Sequence, residues 1–407
     1  MGELVNETFQ QKTENDSPYI LNEDLDFCKS FDDLNLKSEL LKGIFSYGYV
    51  LPSPIQEIAI KPIINGRDMI VQSQSGTGKT ATFIIGLLEK IDSSKNETQS
   101  IIISHTRELA IQTHNVLKNL SSYMKDISYS LCIGGSRKNK FINKMDNSHI
   151  IVGTPGRLCD LIGKKLINSS NVRLMIIDEA DEILSFSFQD QVREIISTIP
   201  KEAQLCLFSA TLPDELFELT DKLTNNAVKI LLNEDNITLD GIKQYYINVQ
   251  KDNWKYDTLV DLYGCISIGQ SIIYINNKNK ADWLVEELIN NNFSPATIHS
   301  NMTQQERQQI MERFRGGDIR VLIATDVIAR GIDVQQLSVV INYDMPKETE
   351  TYIHRIGRSG RFGRKGLAIN LVNSKQVSMI KYLEKMYNTV IEPLPNNLKQ
   401  LIEEELE

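Results

Sequence analysis

The chain has 407 residues, of which 41% are hydrophobic, and its formal net charge is −9. This length and composition suffice for about two domains with buried cores, and no run of about 18 apolar residues exists to form a membrane-spanning helix. The five cysteines are scattered without a CxxC pair. This pattern argues against a disulfide framework or a zinc site and predicts a reduced, intracellular protein.

The negative charge is concentrated at the two ends of the chain. Residues 1–30 contain seven acidic residues and two lysines, and residues 396–407 contain four glutamates and one lysine. We therefore expect a flexible acidic N-terminal extension and an acidic C-terminal tail. The region between them is nearly neutral, so any basic surface for a polyanion must be local.

Apolar runs alternate with amphipathic stretches in both halves of the chain, which is the pattern of a parallel sheet with connecting helices. These runs are at 69–72, 101–103, 150–152, 174–177 and 205–208, and then at 271–275, 321–324, 338–342 and 367–372. The polar, turn-rich segment 233–241 separates the halves. The sequence therefore predicts an α/β protein with two parallel-sheet domains, residues 31–232 and 242–395, joined by a short linker.

The first apolar run leads directly into residues 73–80, which read SQSGTGKT. Such a glycine-rich loop turns its backbone N–H groups around a phosphate chain. Lys79 can reach the β- and γ-phosphates, and the Thr80 hydroxyl can hold Mg²⁺. Ser73 stands where glycine is usual, and a chance glycine-rich turn is the alternative. As an ATP site, the loop would include Ser75, Gly76, Thr77, Gly78, Lys79, Thr80 and Ala81.

A second candidate site follows the apolar run 174–177, which ends in the residues DEAD at 178–181. P-loop enzymes hold Mg²⁺ with a carboxylate at the C-terminal end of a buried strand. Asp178 fits this role together with Thr80, partly through water, and Glu179 is placed to orient or deprotonate the attacking water. A solvated acidic turn is the alternative. The glycine-rich phosphate loop at residues 73–80 disfavours that alternative, because the two motifs describe one ATP site.

A third motif, HRIGRSGR at residues 354–361, lies in the second half of the chain. Its arginines, Arg355, Arg358 and Arg361, recur at a spacing of three and are interpreted as arginine fingers for the γ-phosphate. An arginine finger accelerates phosphoryl transfer about 10³–10⁵-fold. ATP hydrolysis would then require the two halves to close on each other. A basic RNA-binding stretch without a catalytic part is the alternative.

Together these three motifs resemble those of DEAD-box ATP-dependent RNA helicases, and the resemblance covers nearly the whole chain. It implies two tandem RecA-like domains, each a parallel sheet with helices on both faces, and an RNA-dependent ATPase that uses ATP and Mg²⁺. In this family a glutamine reads the adenine and an aromatic ring stacks on it. These are Gln56 and Tyr49 here, with Phe31 upstream. The resemblance also places Asp333 at the ribose and His354 in the catalytic set.

Further matches imply contacts with an RNA single strand or short duplex, bound without sequence reading. By resemblance, the RNA-contacting residues are Thr106, Arg107, Gly135, Thr154, Gly156, Arg157, Thr325 and Arg330. Ser209 and Thr211 would link hydrolysis to strand separation. The chain departs from the family pattern at His105, where proline is usual, and at Phe186 and Ser187. Two interpretations stay open: these changes alter RNA grip and leave ATP chemistry intact, or they are tolerated loop changes, which we favour.

Within the family, residues 241–259, 329–346 and 352–372 most resemble the initiation factor 4A group. That resemblance implies unwinding of mRNA 5′ leaders in translation initiation by a monomeric, cytoplasmic core, with a scaffold protein bridging both domains. Two alternatives stay open. One is an ATP-locked RNA clamp of the exon-junction complex, and the other is an rRNA-processing helicase. Both alternatives imply a nuclear protein.

Overall fold

The computed structural model describes residues 18–74, 76–134, 148–184, 188–232, 242–265, 268–326, 337, 339–357, 359 and 366–395. The chain divides into two compact units, Met1–Asn233 and Glu234–Glu407. The predicted linker at 233–241 and the predicted acidic tail at 396–407 lie outside the described residues.

The first unit alternates strands with helices. Its strands are β1 (Tyr19–Leu21), β2 (Met69–Gln72), β3 (Ser100–Ser104), β4 (Tyr129–Cys132), β5 (Ile150–Gly153), β6 (Leu174–Asp178), β7 (Gln204–Ser209) and β8 (Val228–Leu232). Its helices are α1 (Ser38–Ser46), α2 (Pro54–Ile64), α3 (Lys79–Lys90), α4 (Arg107–Leu120), α5 (Pro155–Gly163), α6 (Ala180–Ile183), α7 (Gln189–Thr198) and α8 (Asp214–Leu223).

The described strands of this unit form one sheet in the order β1-β8-β2-β7-β6-β3-β5-β4. All neighbours are parallel except β1 and β8. Alternate residues of a strand face opposite sides of the sheet. Ile101 and Ile177 therefore share a core with the helices α5 to α7, whereas Phe208 of β7 packs against Phe83 of α3, with ring centroids 5.2 Å apart. The sheet is thus covered on both faces, which explains its almost continuously apolar strands.

The predicted flexible extension over residues 1–30 is wrong for its described part. Tyr19 pairs with Leu232 in an antiparallel edge ladder, Cys28 is buried, and Arg67 pairs with Glu23 at 2.8 Å. The physical reason is that an unpaired edge of a sheet exposes backbone hydrogen-bonding groups, and a short added strand covers them. The charged composition of this segment concealed its alternating buried positions.

The second unit repeats the same pattern. Its strands are β9 (Ile242–Gln250), β10 (Ser271–Tyr274), β11 (Pro295–Ile298), β12 (Val321–Ala324), β13 (Val339–Asn342), β14 (Gly366–Asn373) and β15 (Glu392–Pro393). Its helices are α9 (Lys255–Cys265), α10 (Lys278–Asn290), α11 (Gln304–Arg315), α12 (Thr349–Ile356) and α13 (Val377–Met386).

The described strands of the second unit form an entirely parallel sheet in the order β11-β12-β10-β13-β14-β9-β15. Ile272 and Leu322 face one core with residues of α11 to α13, while Ile273 and Ile323 face a second core with residues of α9 and α10. The predicted two parallel-sheet domains with helices on both faces are therefore confirmed. Among the described residues, no helix is both long and apolar enough to cross a membrane.

Candidate nucleotide site

The predicted phosphate loop connects the end of β2 to the start of α3. Its backbone reverses at Gly76 and Gly78, which have φ values of 87° and 101°, a region that residues with a Cβ atom rarely adopt. A Cβ atom at position 78 would also lie only 2.7 Å from Nε2 of Gln56. Because Lys79 is the first residue of α3, the loop presents a helix N-terminus, which favours phosphate.

Hydroxyl groups and the lysine hold this loop in shape. Lys79 is 9% exposed, and its Nζ donates to the carbonyls of Ser73 and of Gln74, the latter at 2.9 Å. The Ser73 Oγ lies 2.7 Å from both the Tyr19 hydroxyl and the Thr77 Oγ1. Burial raises the pKa of Tyr19 to about 12. Ser73 therefore connects the loop to the edge strand β1, a contact that the sequence did not reveal.

The predicted adenine-reading segment is tied to the same loop. Gln56 is 2% exposed; its Oε1 accepts from the Ser53 backbone N–H at 2.9 Å, and its Nε2 donates to the Gly78 carbonyl at 3.4 Å. Tyr49 is partly buried, with its ring 5.0 Å from that of Tyr47. The structure thus brings Gln56 to the phosphate loop.

Two predicted nucleotide-binding residues lie in the core instead. Phe31 is 1% exposed and packs edge-to-face on Phe45 at 6.4 Å, so its predicted place at the nucleotide is corrected to support of the packing around α1. Ala81 is 2% exposed and has no polar side-chain atom, so position 81 offers a ligand only its backbone. Thr80 is partly buried beside Lys79.

The acidic motif begins where β6 ends. Asp178 is 3% exposed, and its pKa is raised to about 7, first by burial and second by the neighbouring Glu179 charge, against the opposing charges of Lys79 and His105. Glu179 has a left-handed backbone, with φ 57°, a conformation that costs energy and is common at functional sites. The phosphate loop follows β2 and the acidic motif follows β6, and β7 alone separates these parallel strands, so both motifs leave the same edge of the sheet.

The donor set fits a Mg²⁺ ion. Within the described ranges, no group of three or more His, Cys, Asp or Glu side chains could hold a metal. Mg²⁺ commonly uses one or two carboxylates plus water and substrate phosphates, and a buried carboxylate with a raised pKa gains from a nearby cation. Asp178 and Thr80 would therefore hold the ion.

His105 lies beside the acidic motif. It follows β3, and its Nδ1 lies 2.7 Å from Oε2 of Glu179, with side-chain exposures of 10% and 11%. The sequence did not predict this contact, and the two interpretations of position 105 stay predictions. The side chain faces the predicted general base because β3 and β6 are adjacent parallel strands.

The predicted coupling residues contact the acidic motif directly. Thr211 Oγ1 donates to Oδ2 of Asp181 at 2.7 Å, and Ser209 Oγ donates to the Thr211 carbonyl at 2.6 Å. The backbone N–H of Ser73 also donates to the Ser209 carbonyl at 3.0 Å. A movement of residues 209–211 would therefore disturb contacts of both the acidic motif and the phosphate loop.

Several predicted RNA-contacting residues begin helices of the first unit. Thr106 caps α4 by accepting from the Leu109 N–H at 3.2 Å. Thr154 precedes α5, which contains Gly156, and Arg157 donates to Asp160 at 2.8 Å.

Two further predicted RNA-contacting residues are Arg107, the first residue of α4, and Thr325. Arg107 packs so closely on Gly134 that a Cβ atom there would lie 2.8 Å from its Nη2. In the second unit, Thr325 is 8% exposed. Six predicted site residues lie outside the described residues: Ser75, Gly135, Arg330, Asp333, Arg358 and Arg361. The departures at Phe186 and Ser187 do so too.

Arg355 is a structural residue of the second unit, which corrects its interpretation as an arginine finger. Its side chain is 0% exposed, its Nε donates to Asp326 at 2.6 Å, and its Nη1 donates to the Asp344 carbonyl at 2.6 Å. The guanidinium also lies over the Tyr274 ring, 5.1 Å from the centroid. His354 is likewise buried, and its catalytic role stays a prediction.

Comparison with known proteins identifies the family. The DEAD/DEAH box helicase model matches residues 53–219, and the helicase conserved C-terminal domain matches residues 254–363. The chain is 48% identical to the ATP-dependent RNA helicase fal1 of Schizosaccharomyces pombe over 94% of this chain and 97% of that protein. It is 46% identical to the eukaryotic initiation factor 4A-III homolog B of Oryza sativa, over 93% of this chain and 94% of the relative.

Solved structures agree with this result. S. cerevisiae Dbp5 bound to RNA and ADP BeF3 matches with a TM-score of 0.88 and 36% identity, over 93% of this chain and 100% of that one. Mss116p bound to ssRNA and AMP-PNP matches with a TM-score of 0.80 and 26% identity, over 92% and 80%. The chain therefore belongs to the DEAD-box family of ATP-dependent RNA helicases.

Proposed function

We propose that this helicase hydrolyses ATP with Glu179 as the general base and Lys79 on the β- and γ-phosphates. One observation carries the proposal: the segment 209–211 joins the phosphate loop to the acidic motif, because the Ser73 N–H donates to the Ser209 carbonyl at 3.0 Å and Thr211 Oγ1 donates to Asp181 at 2.7 Å. Loop and acidic motif therefore form one site. Asp178 and Thr80 would hold Mg²⁺, which supplies neutralisation of phosphate charge when bound. Glu179 then accepts the proton of the attacking water.

The RNA side of the proposal rests on local basic groups rather than on overall charge. Arg107 and Arg157 lie at the starts of α4 and α5, where helix N-termini also favour phosphate. Because Arg157 is already paired with Asp160, an RNA phosphate would have to compete with that carboxylate. We therefore expect salt-sensitive binding to the RNA backbone without reading of the bases.

The predicted arginine fingers, Arg358 and Arg361, complete the proposed ATPase but remain predictions from the sequence. The same is true of Asp333 at the ribose and of Arg330 at the RNA. Substituting each of these by alanine and measuring RNA-stimulated ATP hydrolysis would test them one by one. Retention of full activity in Arg358→Ala would contradict the finger role.

For the cellular pathway, we propose unwinding of structured mRNA leaders in translation initiation, by a cytoplasmic monomer that a scaffold protein assists. Relatives with initiation factor 4A names support this proposal, including the ATP-dependent RNA helicase eIF4A of Kluyveromyces lactis at 48% identity. The second candidate is a role shared with the helicases named FAL1, and the Candida albicans FAL1 is 50% identical to the chain. Fractionation of cells separates the two: co-sedimentation with initiating ribosomes supports the first, and exclusive nuclear recovery contradicts it.

The biochemical core is tested by ATP hydrolysis with and without unstructured RNA. RNA should stimulate the wild-type protein, and Glu179→Gln should lose at least about a hundredfold in kcat, since a general base contributes roughly 10²–10⁴-fold. Glu202→Gln, a change of the same chemistry at an exposed position, is the matched control. Full activity of Glu179→Gln would refute the proposed base, while stable RNA retention without turnover in the wild type would indicate an ATP-locked clamp.

A further inference from the structure

The sheet register places one histidine beside the proposed general base. β3 and β6 are adjacent parallel strands in which Ser104 is the partner of Asp178. The next residue of each strand, His105 and Glu179, therefore leaves the same edge of the sheet at the same level. Nearness in space follows directly from the register, although the two residues lie far apart in the sequence.

The two side chains meet in a partly enclosed contact. The Nδ1 atom of His105 is 2.7 Å from Oε2 of Glu179, and the side chains are 10% and 11% exposed. A proton on Nδ1 makes this contact attractive, because a carboxylate can only accept. The two atoms form an ion pair whose geometry falls outside hydrogen-bond limits; contacts of catalytic groups often tighten only in the substrate complex.

We propose that His105 is a positioning residue for ATP hydrolysis, which holds Oε2 of Glu179 and leaves Oε1 to meet the attacking water. The inference rests on the proposed function, because it assigns the base role to Glu179. The left-handed backbone of Glu179 sets the direction in which its side chain leaves the backbone, and the His105 imidazole holds its carboxylate end. A proline at position 105 would have no polar side-chain group for this contact.

The kinetic test compares three substitutions in RNA-stimulated ATP hydrolysis. His105→Ala should lower kcat about tenfold, because Oε2 of Glu179 loses the partner that holds it, with KM for ATP and RNA affinity within about twofold. His105→Asn should recover most of kcat, because its amide N–H₂ reaches the position of Nδ1. His114→Ala is the matched control, since His114 packs against Tyr129 at 5.2 Å on α4. An unchanged kcat in His105→Ala, or an Asn variant as slow as the Ala variant, would overturn the proposal.

A second measurement does not depend on activity. Long-range ¹H–¹⁵N spectra of histidine-labelled protein report which ring nitrogen carries the proton, and loss of one signal in His105→Asn assigns His105. We expect a protonated Nδ1 in the wild type and loss of that preference in Glu179→Ala. An Nδ1 without a proton in the wild type would refute the contact.

The two proposals fail in different ways. In a Glu179→Gln background, His105→Ala should lower kcat no further, because the group it positions is already absent. If Glu179→Gln keeps full activity, the base assignment is wrong even when the spectra show the contact. If Glu179→Gln is inactive and His105→Ala is as fast as the wild type, only the positioning role is wrong.

Discussion

Substitution of Arg355 by methionine tests whether the first arginine of HRIGRSGR is part of the fold or a free finger. Methionine keeps most of the volume but removes the guanidinium donors to Asp326, the Asp344 carbonyl and Asn276, at 2.6, 2.6 and 2.8 Å. Breaking a buried charged pair by removing one partner costs about 3–5 kcal/mol. Asp326 is 41% exposed, so water can replace its lost partner. We therefore expect the free energy of unfolding to fall by an amount near the lower end of this range, about 3 kcal/mol.

The assay is urea unfolding followed by tryptophan fluorescence. Both tryptophans of the chain, Trp254 and Trp283, lie in the second unit, so their emission reports the unit that contains Arg355. With a slope of about 2 kcal/mol per molar urea, the midpoint should fall by about 1.5 M. Arg313→Met on α11 is the control; its side chain is exposed, and the change should stay within about 0.5 kcal/mol.

An unchanged midpoint in Arg355→Met would refute the structural role. The finger interpretation would regain support if the variant unfolded like the wild type and lost its ATPase. A lower midpoint together with lost ATPase supports the structural role, because a loosened second unit impairs every function that depends on it.

Three further predictions concern the first unit. Gly78→Ala should raise KM for ATP about tenfold, since φ is 101° there and left-handed backbone costs roughly 1–2 kcal/mol; Gly163→Ala, whose Cβ atom would meet nothing within 4 Å, should leave KM unchanged. Thr211→Val removes the hydroxyl that donates to Asp181 and should lower the rate of duplex unwinding about tenfold and the ATPase rate less than twofold. Equal losses in the two rates would contradict a role in coupling hydrolysis to strand separation. Tyr19→Phe should destabilise by about 1 kcal/mol at pH 8. The Tyr19 pKa is raised to about 12, so the wild type loses its stability advantage over the phenylalanine variant as pH rises from about 10 towards 12. Unfolding followed by circular dichroism checks this, and a stability difference that stays constant over that pH range would refute the prediction.

The sequence predicted the features that depend on short segments. Apolar runs gave the strands, and the glycine-rich and acidic motifs followed β2 and β6 as expected. Both signals are local, because a strand covered on two faces must be apolar along its length, and a phosphate loop must reverse its backbone within a few residues. Gly76 and Gly78 carry these reversals.

Features that depend on strand order were missed. Tyr19 reaches Ser73 only because β1 pairs with β8 and β8 lies beside β2, and no local pattern reports such an order. The family resemblance places Phe31 at the nucleotide, and the spacing of three arginines predicts a finger at Arg355. Their burial depends on neighbours distant in the sequence.

The parallel register also explains why a substitution in a loop can act on chemistry. In a sheet, a shift of one residue turns every side chain to the other face, so the partnership of Ser104 with Asp178 fixes the side on which the next residues emerge. Any residue at position 105 is therefore presented to the acidic motif, and its side chain decides what Glu179 meets. A proline there would offer the carboxylate no polar side-chain atom, whereas Nδ1 of His105 lies 2.7 Å from one of its oxygens. Variation at this single position is thus expected to change kcat without changing the fold, the phosphate loop or the affinity for RNA.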